Sequence, residues 1–318
     1  MVSLRSVLRD EAVYDFSLSE IVSKYREWVL DDRYMILNRM DLKTYKSEVF
    51  AIKCSKRGND VYRSRVYRRF KGVSSLVENS VFFNPKDRGE KSTRALWVTL
   101  TYDVKRRKFK DAWREIGKEF NCFMSYVRKK FGKISCCRVF EAYENGHPHI
   151  HCILLFESTE FRVFRDKKGQ VRVFEKEIIA KGWHSHVDVK AMSSLGCGFS
   201  YQKKYLLKSI NAETTDSKVL KTLALCWLFS KRAFSLSGKF RQLLTDLIRD
   251  MHNSNRPMRQ TTLEGGILAP EIAYYVLGFV PADVVRLEKD IWFSKLSNEQ
   301  IKSVEKFLES KHVLGVKF

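Results

Sequence analysis

The chain has 318 residues, of which 44% are hydrophobic and 13% aromatic. That is enough apolar material for roughly two packed domains, and it excludes bulk disorder. The net charge is +22, from 59 Lys and Arg against 37 Asp and Glu. An excess of this size points to a polyanionic partner. The aromatic share favours nucleic acid over an anionic membrane, because rings stack on exposed bases.

Two further features narrow the class. The most apolar stretch, Ile272 to Val280, is too short to span a bilayer and ends at Pro281, so no membrane partner is expected. Arg5, Arg9, Asp10 and Glu11 stand where a signal peptide would have its apolar core. The seven cysteines contain no CxxC pair, which argues against a disulfide framework and a cysteine-built zinc site. A reduced, cytoplasmic protein is expected.

The chain divides into three blocks. Residues 1–92 form a basic N-terminal region. From Lys53 to Lys71 it carries eight Lys or Arg residues and one acid, Asp60, with Tyr62 and Tyr67 among them. Two readings stand there, a solvated helix face and a phosphate-contacting surface made by Lys56, Arg57, Arg63, Arg65, Arg68 and Arg69. Residues 93–212 alternate strand-like and helix-like segments. Ala95 to Tyr102 is rich in β-branched and aromatic residues and predicts a strand. Phe109 to Lys130 predicts an amphipathic helix, with Phe109, Trp113, Ile116, Phe120, Phe123, Met124 and Val127 at helical spacing and Gly132 as its stop. Ile134 to Tyr143 and His149 to Phe156 predict strands joined by a turn at Asn145-Gly146. A second hairpin follows over Phe161 to Phe174 around Lys168-Gly169, then a short strand at Val187 to Val189 and a helix over Phe199 to Ile210. Residues 213–318 are expected to be mainly helical. Ser297 and Gln300 form a capping box ahead of a helix running towards Lys311, and Asn253 to Gln260, with Pro257, reads as a loop.

The stretch from Gly146 to Phe156, GHPHIHCILLF, bears the first chemistry. Side chains alternate along a strand, so His149 and His151 share a face and can share a divalent metal. The register of the hairpin decides the third ligand. A three-residue loop over residues 144–146 with Gly146 left-handed pairs Glu141 with His149, on the histidine face. A two-residue turn at Asn145-Gly146 sends Glu141 to the opposite face.

The second constellation is Tyr201-Gln202-Lys203-Lys204-Tyr205-Leu206-Leu207-Lys208. At about 100° per residue, Tyr201, Lys204, Tyr205 and Lys208 fall on one helix face, opposite Phe199, Leu206, Leu207 and Ile210. A phenol is a poor nucleophile while protonated, and neighbouring ammonium groups favour phenolate and neutralise phosphate charge. Such a helix can deliver tyrosines to a phosphodiester, which is conserved as a phosphotyrosine ester and can be rejoined without ATP.

In this order the sequence resembles the HUH endonucleases, and within them the rolling-circle replication initiators with two tyrosines. The matching motifs are Trp97-Val98-Thr99-Leu100-Thr101-Tyr102-Asp103, the pair His149-x-His151, and YxxKYxxK over Tyr201 to Lys208. The surroundings, including Lys56-Arg57-Gly58-Asn59 near Tyr62 and Arg232-Ala233-Phe234-Ser235, are similar to archaeal plasmid or virus initiators. The resemblance implies an α+β fold, an antiparallel sheet flanked by helices, over residues 93–212. The basic N-terminal and mainly helical C-terminal regions would be additions to it. It implies Mg²⁺ or Mn²⁺ at His149, His151 and Glu141, with Tyr205 as first nucleophile and Tyr201 second, supported by Lys204 and Lys208. It also implies nicking of single-stranded origin DNA. No GxxxxGK[ST] motif occurs, so a host helicase is the expected partner. A transposase or relaxase of the same class, a histidine-triad nucleotide hydrolase built on His147, His149 and His151, and a non-catalytic binding protein are the alternatives.

Overall fold

A computed structural model describes residues 16–254 and 272–310, apart from Arg88, Ser209 and Ala233. Its contacts divide the chain into two units, one of residues up to Arg26 with Arg63–Ser254, the other of Glu27–Tyr62 with the described C-terminal residues. The boundaries fall inside two helices, α1 (Leu18–Leu30) and α2 (Asp60–Leu76). Among the described residues, no helix is long and apolar enough to cross a membrane.

The larger unit is built on five antiparallel strands. They are β4 (Ala95–Thr101), β5 (Ile134–Ala142), β6 (Pro148–Phe156), β9 (Val187–Ala191) and β10 (Phe234–Ser237), in the order β10-β5-β6-β4-β9. A smaller sheet, β3-β7-β8, is made by β3 (Lys91–Thr93), β7 (Phe161–Arg165) and β8 (Val171–Val173). The fold is therefore the expected α+β arrangement of antiparallel sheet and flanking helices.

Helix α3 (Phe109–Phe131) covers one face of the main sheet. Its buried Trp113, Ile116, Phe120, Phe123, Met124 and Val127 repeat at helical spacing and pack on Leu96, Val98, Leu100, Phe140, Ile150, Cys152 and Leu154. The chain stops at Gly132 (φ 80°), whose N–H donates to the Arg128 carbonyl at 2.8 Å. Burial on this face leaves the alternate residues of β6, His149, His151 and Ile153, to face the other way.

On that second face lies α5 (Leu195–Lys208), which starts four residues before the expected Phe199. Gly196 and Gly198 read as helix breakers, yet here they permit close approach. A Cβ at Gly196 would meet the Glu78 carbonyl at 2.8 Å, and one at Gly198 would run into Met192 and approach Ile153. Small α4 (Lys176–Ala180) follows the β7–β8 hairpin, whose turn carries Gly169 at φ 73°.

The C-terminal block supplies α6 (Ser217–Leu228), α7 (Lys239–Ser254), α8 (Ala282–Val285) and α9 (Asn298–Ser310), so it is mainly helical as expected. It also contributes β10 to the main sheet, together with β11 (Ile272–Pro281) and β12 (Phe293–Lys295). The apolar stretch from Ile272 is thus a strand. In the smaller unit it pairs with β1 (Arg33–Asp41), which pairs with β2 (Ser47–Lys53), and β12 closes the order β11-β1-β2-β12. The capping box at α9 is formed, Ser297 N–H to Gln300 at 3.0 Å and Gln300 N–H to Ser297 at 3.3 Å. Of the loop expected over Asn253 to Gln260, residues 255–260 lie outside the described residues.

The β5–β6 turn resolves the register question. Tyr143 N–H donates to His147 O and Gly146 N–H to Tyr143 O, both at 2.9 Å, with Gly146 at φ 84°. This is the three-residue loop, so Glu141 lies opposite His149. Trp113 Nε1 holds the turn by donating to Gly146 O at 2.7 Å. A Cβ on Gly146 would stand 3.1 Å from Leu18 and 3.2 Å from the Phe109 ring. Gly146→Ala is therefore expected to cost about 1–3 kcal/mol of stability and to loosen the hairpin that aligns Glu141. Urea unfolding with a Mn²⁺ titration checks both effects.

Candidate metal and tyrosine site

Three strands meet where the ligands gather. Thr101 of β4, His149 of β6 and Glu141 of β5 lie in one row across the sheet, and Thr99, His151 and Val139 in the next. Ligand atoms of Glu141, His149 and His151 all lie within 4.8 Å of one another. His149 is 8% exposed and His151 5%. His147 is not in this group. Its Nε2 donates to the Arg107 carbonyl at 2.9 Å and its ring lies against Tyr102. The three histidines thus do not share a site, which removes the geometric basis of the histidine-triad alternative.

The donor set fits a divalent cation, with two imidazoles and a carboxylate converging on one partly buried spot. Burial is the main force on His149 and pushes it from 6.5 down to about 3, with His151 adding to the effect. It is a neutral ligand at physiological pH. Burial also pushes the Glu141 carboxyl up. The hydrogen bond from His151 and the charges of His151, Lys218 and His149 outweigh that and leave it below its ordinary value. His151 Nε2 donates to Glu141 at 3.0 Å. Behind it, Thr99 Oγ1 lies 3.3 Å from His151 Nδ1, and Trp97 Nε1 donates to Thr99 Oγ1 at 3.1 Å. This relay fixes the ring and its tautomer, as outer contacts of metal-ligating histidines do.

The depressed His149 value has a consequence for the metal-free protein. Between pH 6.5 and about 3 the unfolded chain binds a proton that folded His149 refuses. Stability is thus fully present above pH 6.5 and falls as pH drops through that window, by a few kcal/mol at most. Urea midpoints measured across this range should show the slope in the wild type and a shallower one in His149→Phe.

Tyr205 and Tyr201 project from α5 towards the same spot. The Tyr205 ring lies on His151, centroids 4.1 Å apart and 32° from parallel. The two phenolic oxygens are 2.8 Å apart. Trp97 supports both rings, at 4.7 Å from Tyr201 and 5.9 Å from Tyr205. The expected segregation of the helix holds in part. Phe199, Leu206 and Ile210 are buried and Tyr201 is 45% exposed, whereas the side chains of Leu207 and Lys208 lie outside the described residues. Burial raises the Tyr205 phenol above its ordinary value, and Tyr201 and the Glu141 charge raise it further. Lys204 is exposed, and no lysine is among the groups acting on that phenol. Desolvation outweighs the expected ammonium effect because the ring is pressed against His151 while the lysine stays in solvent.

Several site residues had no role from sequence. Gln202 is fully buried and its Nε2 donates to the Cys137 and His151 carbonyls, at 3.3 Å each, which ties α5 to β5 and β6. Its polarity amid an apolar face was the available signal. Lys218 of α6 stands 3.8 Å from Glu141 and 6.0 Å over the Tyr143 ring. Tyr143 in turn meets His149 edge-on at 4.6 Å. Lys218 lies in the block beyond residue 212, and no periodicity marks it.

The basic stretch is split between the units. Lys56 is buried, its ammonium held by the Trp28 carbonyl at 2.9 Å, by Asp31 Oδ2 at 3.2 Å and by the Asp31 carbonyl, so it is committed inside the protein. Arg57 is partly buried. On α2, Arg63 pairs with Glu213 at 3.3 Å, while Arg65, Arg68 and Arg69 are exposed. Lys203 of α5 stands 5.3 Å over the Tyr67 ring of α2, which links the basic helix to the tyrosine helix.

An antiparallel sheet carrying a His-His-Glu cluster under a tyrosine pair has the chemistry of a phosphodiester-handling protein. Residues 95–210 match the family model of the replication-associated protein ORF2. The matched segment runs from β4 to just beyond α5 and so contains all three candidate ligands and both tyrosines. It supports a replication-associated protein that acts on DNA. Comparison with curated proteins and with solved structures finds no match.

Proposed function

We propose that this protein is a rolling-circle replication initiator of the HUH class, resembling those of archaeal plasmids or viruses, and that it nicks and rejoins single-stranded origin DNA. The observation that carries the reading is the Tyr205 ring lying 4.1 Å from His151, its hydroxyl joined to that of Tyr201, beside the Glu141–His149–His151 cluster. A divalent ion held by those three residues, Mg²⁺ or Mn²⁺, would polarise a non-bridging phosphate oxygen. Residues 93–212 would form the catalytic module.

Each residue has a defined task. The Tyr205 oxygen bonds to phosphorus as the bond to the 3′ oxygen breaks, and the leaving oxygen takes up a proton to become a hydroxyl. The phenolic proton of Tyr205 leaves through the hydrogen bond shared with Tyr201. Lys204 and Lys208 neutralise charge on the phosphate. Thr99 and Trp97 hold His151, and Gln202 holds the helix. A later 3′ hydroxyl attacks the phosphotyrosine and reverses the exchange. Arg57, Arg63, Arg65, Arg68 and Arg69 contact DNA phosphates, and a host helicase opens the duplex.

The test is formation of a denaturant-stable protein–DNA adduct when single-stranded oligonucleotides and Mn²⁺ are supplied, with the linked peptide identified by mass spectrometry. Linkage through Tyr205 or Tyr201 is the expected result; linkage through any other residue counts against it. Binding should fall steeply with added salt, as expected when many Lys and Arg displace counterions. Salt-insensitive binding, or equal cleavage of blunt duplex, would oppose the reading.

A further inference from the structure

The hairpin that follows β6 is not used by this mechanism. Its sequence, from Phe161 to Val173, alternates apolar and cationic residues: FRVFRDKKGQVRV, then Phe174. Alternation sends Phe161, Val163 and Val173 inward, where Phe161 is fully buried against Phe131 and Phe156. It leaves Arg162, Phe164, Arg172 and Phe174 on the outer face. A solvated strand face would ordinarily carry no aromatic pair. Here Phe164 and Phe174 lie 4.7 Å apart and 39° from parallel while remaining 37% and 58% exposed. Arg162 stands 5.2 Å over the Phe174 ring. Lys167 and Lys168 are exposed at the tip.

Two features show what such a face accepts. The hairpin's net charge over residues 161–174 is positive, with Arg162, Arg165, Lys167, Lys168 and Arg172 against Asp166 alone. Beside Phe164 opens a groove of about 260 Å³ walled by Phe83, Pro85 and Phe164, with Lys91 and Arg165 on its rim. Apolar walls with cations at the edge suit a planar base attached to a phosphate. The hairpin is also tied to the catalytic sheet. Arg172 pairs with Asp188 of β9 and donates to the Val189 carbonyl at 3.0 Å. Asp188 lies opposite Thr99, which lies opposite His151. Two strand spacings, roughly 10 Å, separate that anchor from the metal cluster, within reach of a few nucleotides.

We infer that the β7–β8 hairpin is a stacking platform for unpaired bases of single-stranded DNA lying outside the tyrosine site. The platform deepens the proposed function and rests on the protein handling single-stranded DNA. Bases stack on Phe164 and Phe174 while Arg162, Lys167 and Lys168 meet the backbone. A flat ring surface of this kind accepts every base, so the platform contributes affinity without sequence preference.

The experiment measures fluorescence anisotropy of a labelled oligothymidylate of roughly 30 nucleotides, long enough to cover both sites, with wild type, the Phe164→Ala/Phe174→Ala double variant and Phe174→Trp. The double variant is expected to bind about 10-fold or more weakly, and Phe174→Trp to bind as the wild type does. Both rings are exposed, so melting temperatures should change little. An oligonucleotide carrying iodouracil should photocrosslink to a peptide containing Phe164 or Phe174. Unchanged affinity in the double variant, or crosslinks found only elsewhere, overturns the platform. Weakened binding by the double variant with no adduct from wild type keeps the platform and overturns the catalytic reading. Adduct formation with unchanged binding by the double variant does the reverse. A wild type that binds no single-stranded DNA overturns both.

Discussion

Tyr205→Phe is expected to abolish nicking of an origin oligonucleotide, while Tyr201→Phe nicks at near wild-type yield and fails in strand transfer. The asymmetry follows from geometry. Tyr205 lies on the His151 ring and feels the Glu141 charge, whereas Tyr201 is the more exposed partner and reaches the cluster through the Tyr205 hydroxyl. One tyrosine can hold the nicked 5′ end while the other attacks the regenerated origin, so replication terminates without hydrolysis of the covalent intermediate. The double variant should form no adduct but still bind DNA, because Phe keeps the packing on Trp97 and removes only a hydrogen bond of about 0.5–1.5 kcal/mol. Denaturing gels of the adduct, run beside binding isotherms, separate the two effects. Reversed roles for the tyrosines would preserve the mechanism and change only their order of use. Adduct formation by the double variant would end the tyrosine mechanism.

The second large effect concerns the cluster. His151→Ala or Glu141→Ala should lower Mn²⁺ affinity by about 100-fold or more, since outer contacts of such sites alone are worth 10–100-fold. Adduct formation should vanish with it at low Mn²⁺, and chelation should do the same to the wild type. Thr99→Val is the informative control. It removes the hydroxyl beside His151 Nδ1 without touching a ligand, and should weaken the ion by about 10-fold. Isothermal titration gives these affinities independently of DNA. Retention of tight Mn²⁺ binding by both alanine variants would remove these residues from the site.

Much of this was legible from residues because it depends on short-range repetition. The amphipathic spacing from Phe109 to Val127 demanded a helix with one buried face. Two histidines two apart on an apolar strand had to share the face not covered by that helix. Tyr201 and Tyr205, four apart, had to lie together on theirs. Each of these follows from backbone period alone.

What the tertiary structure decided depended on pairing and burial. Whether Glu141 joins the histidines turned on one loop residue, since shifting the register by one would send it to the other face, and Gly146 at φ 84° settles it. Gln202 and Lys218 became site residues only because α5 and α6 pack where they do. Lys56, read as a phosphate contact, is held inside the smaller unit by Asp31 and the Trp28 carbonyl. The Tyr205 phenol is raised by burial although lysines flank it in sequence. A sequence records which groups exist and their local period, whereas solvent access and long-range neighbours are set by the packing of distant segments.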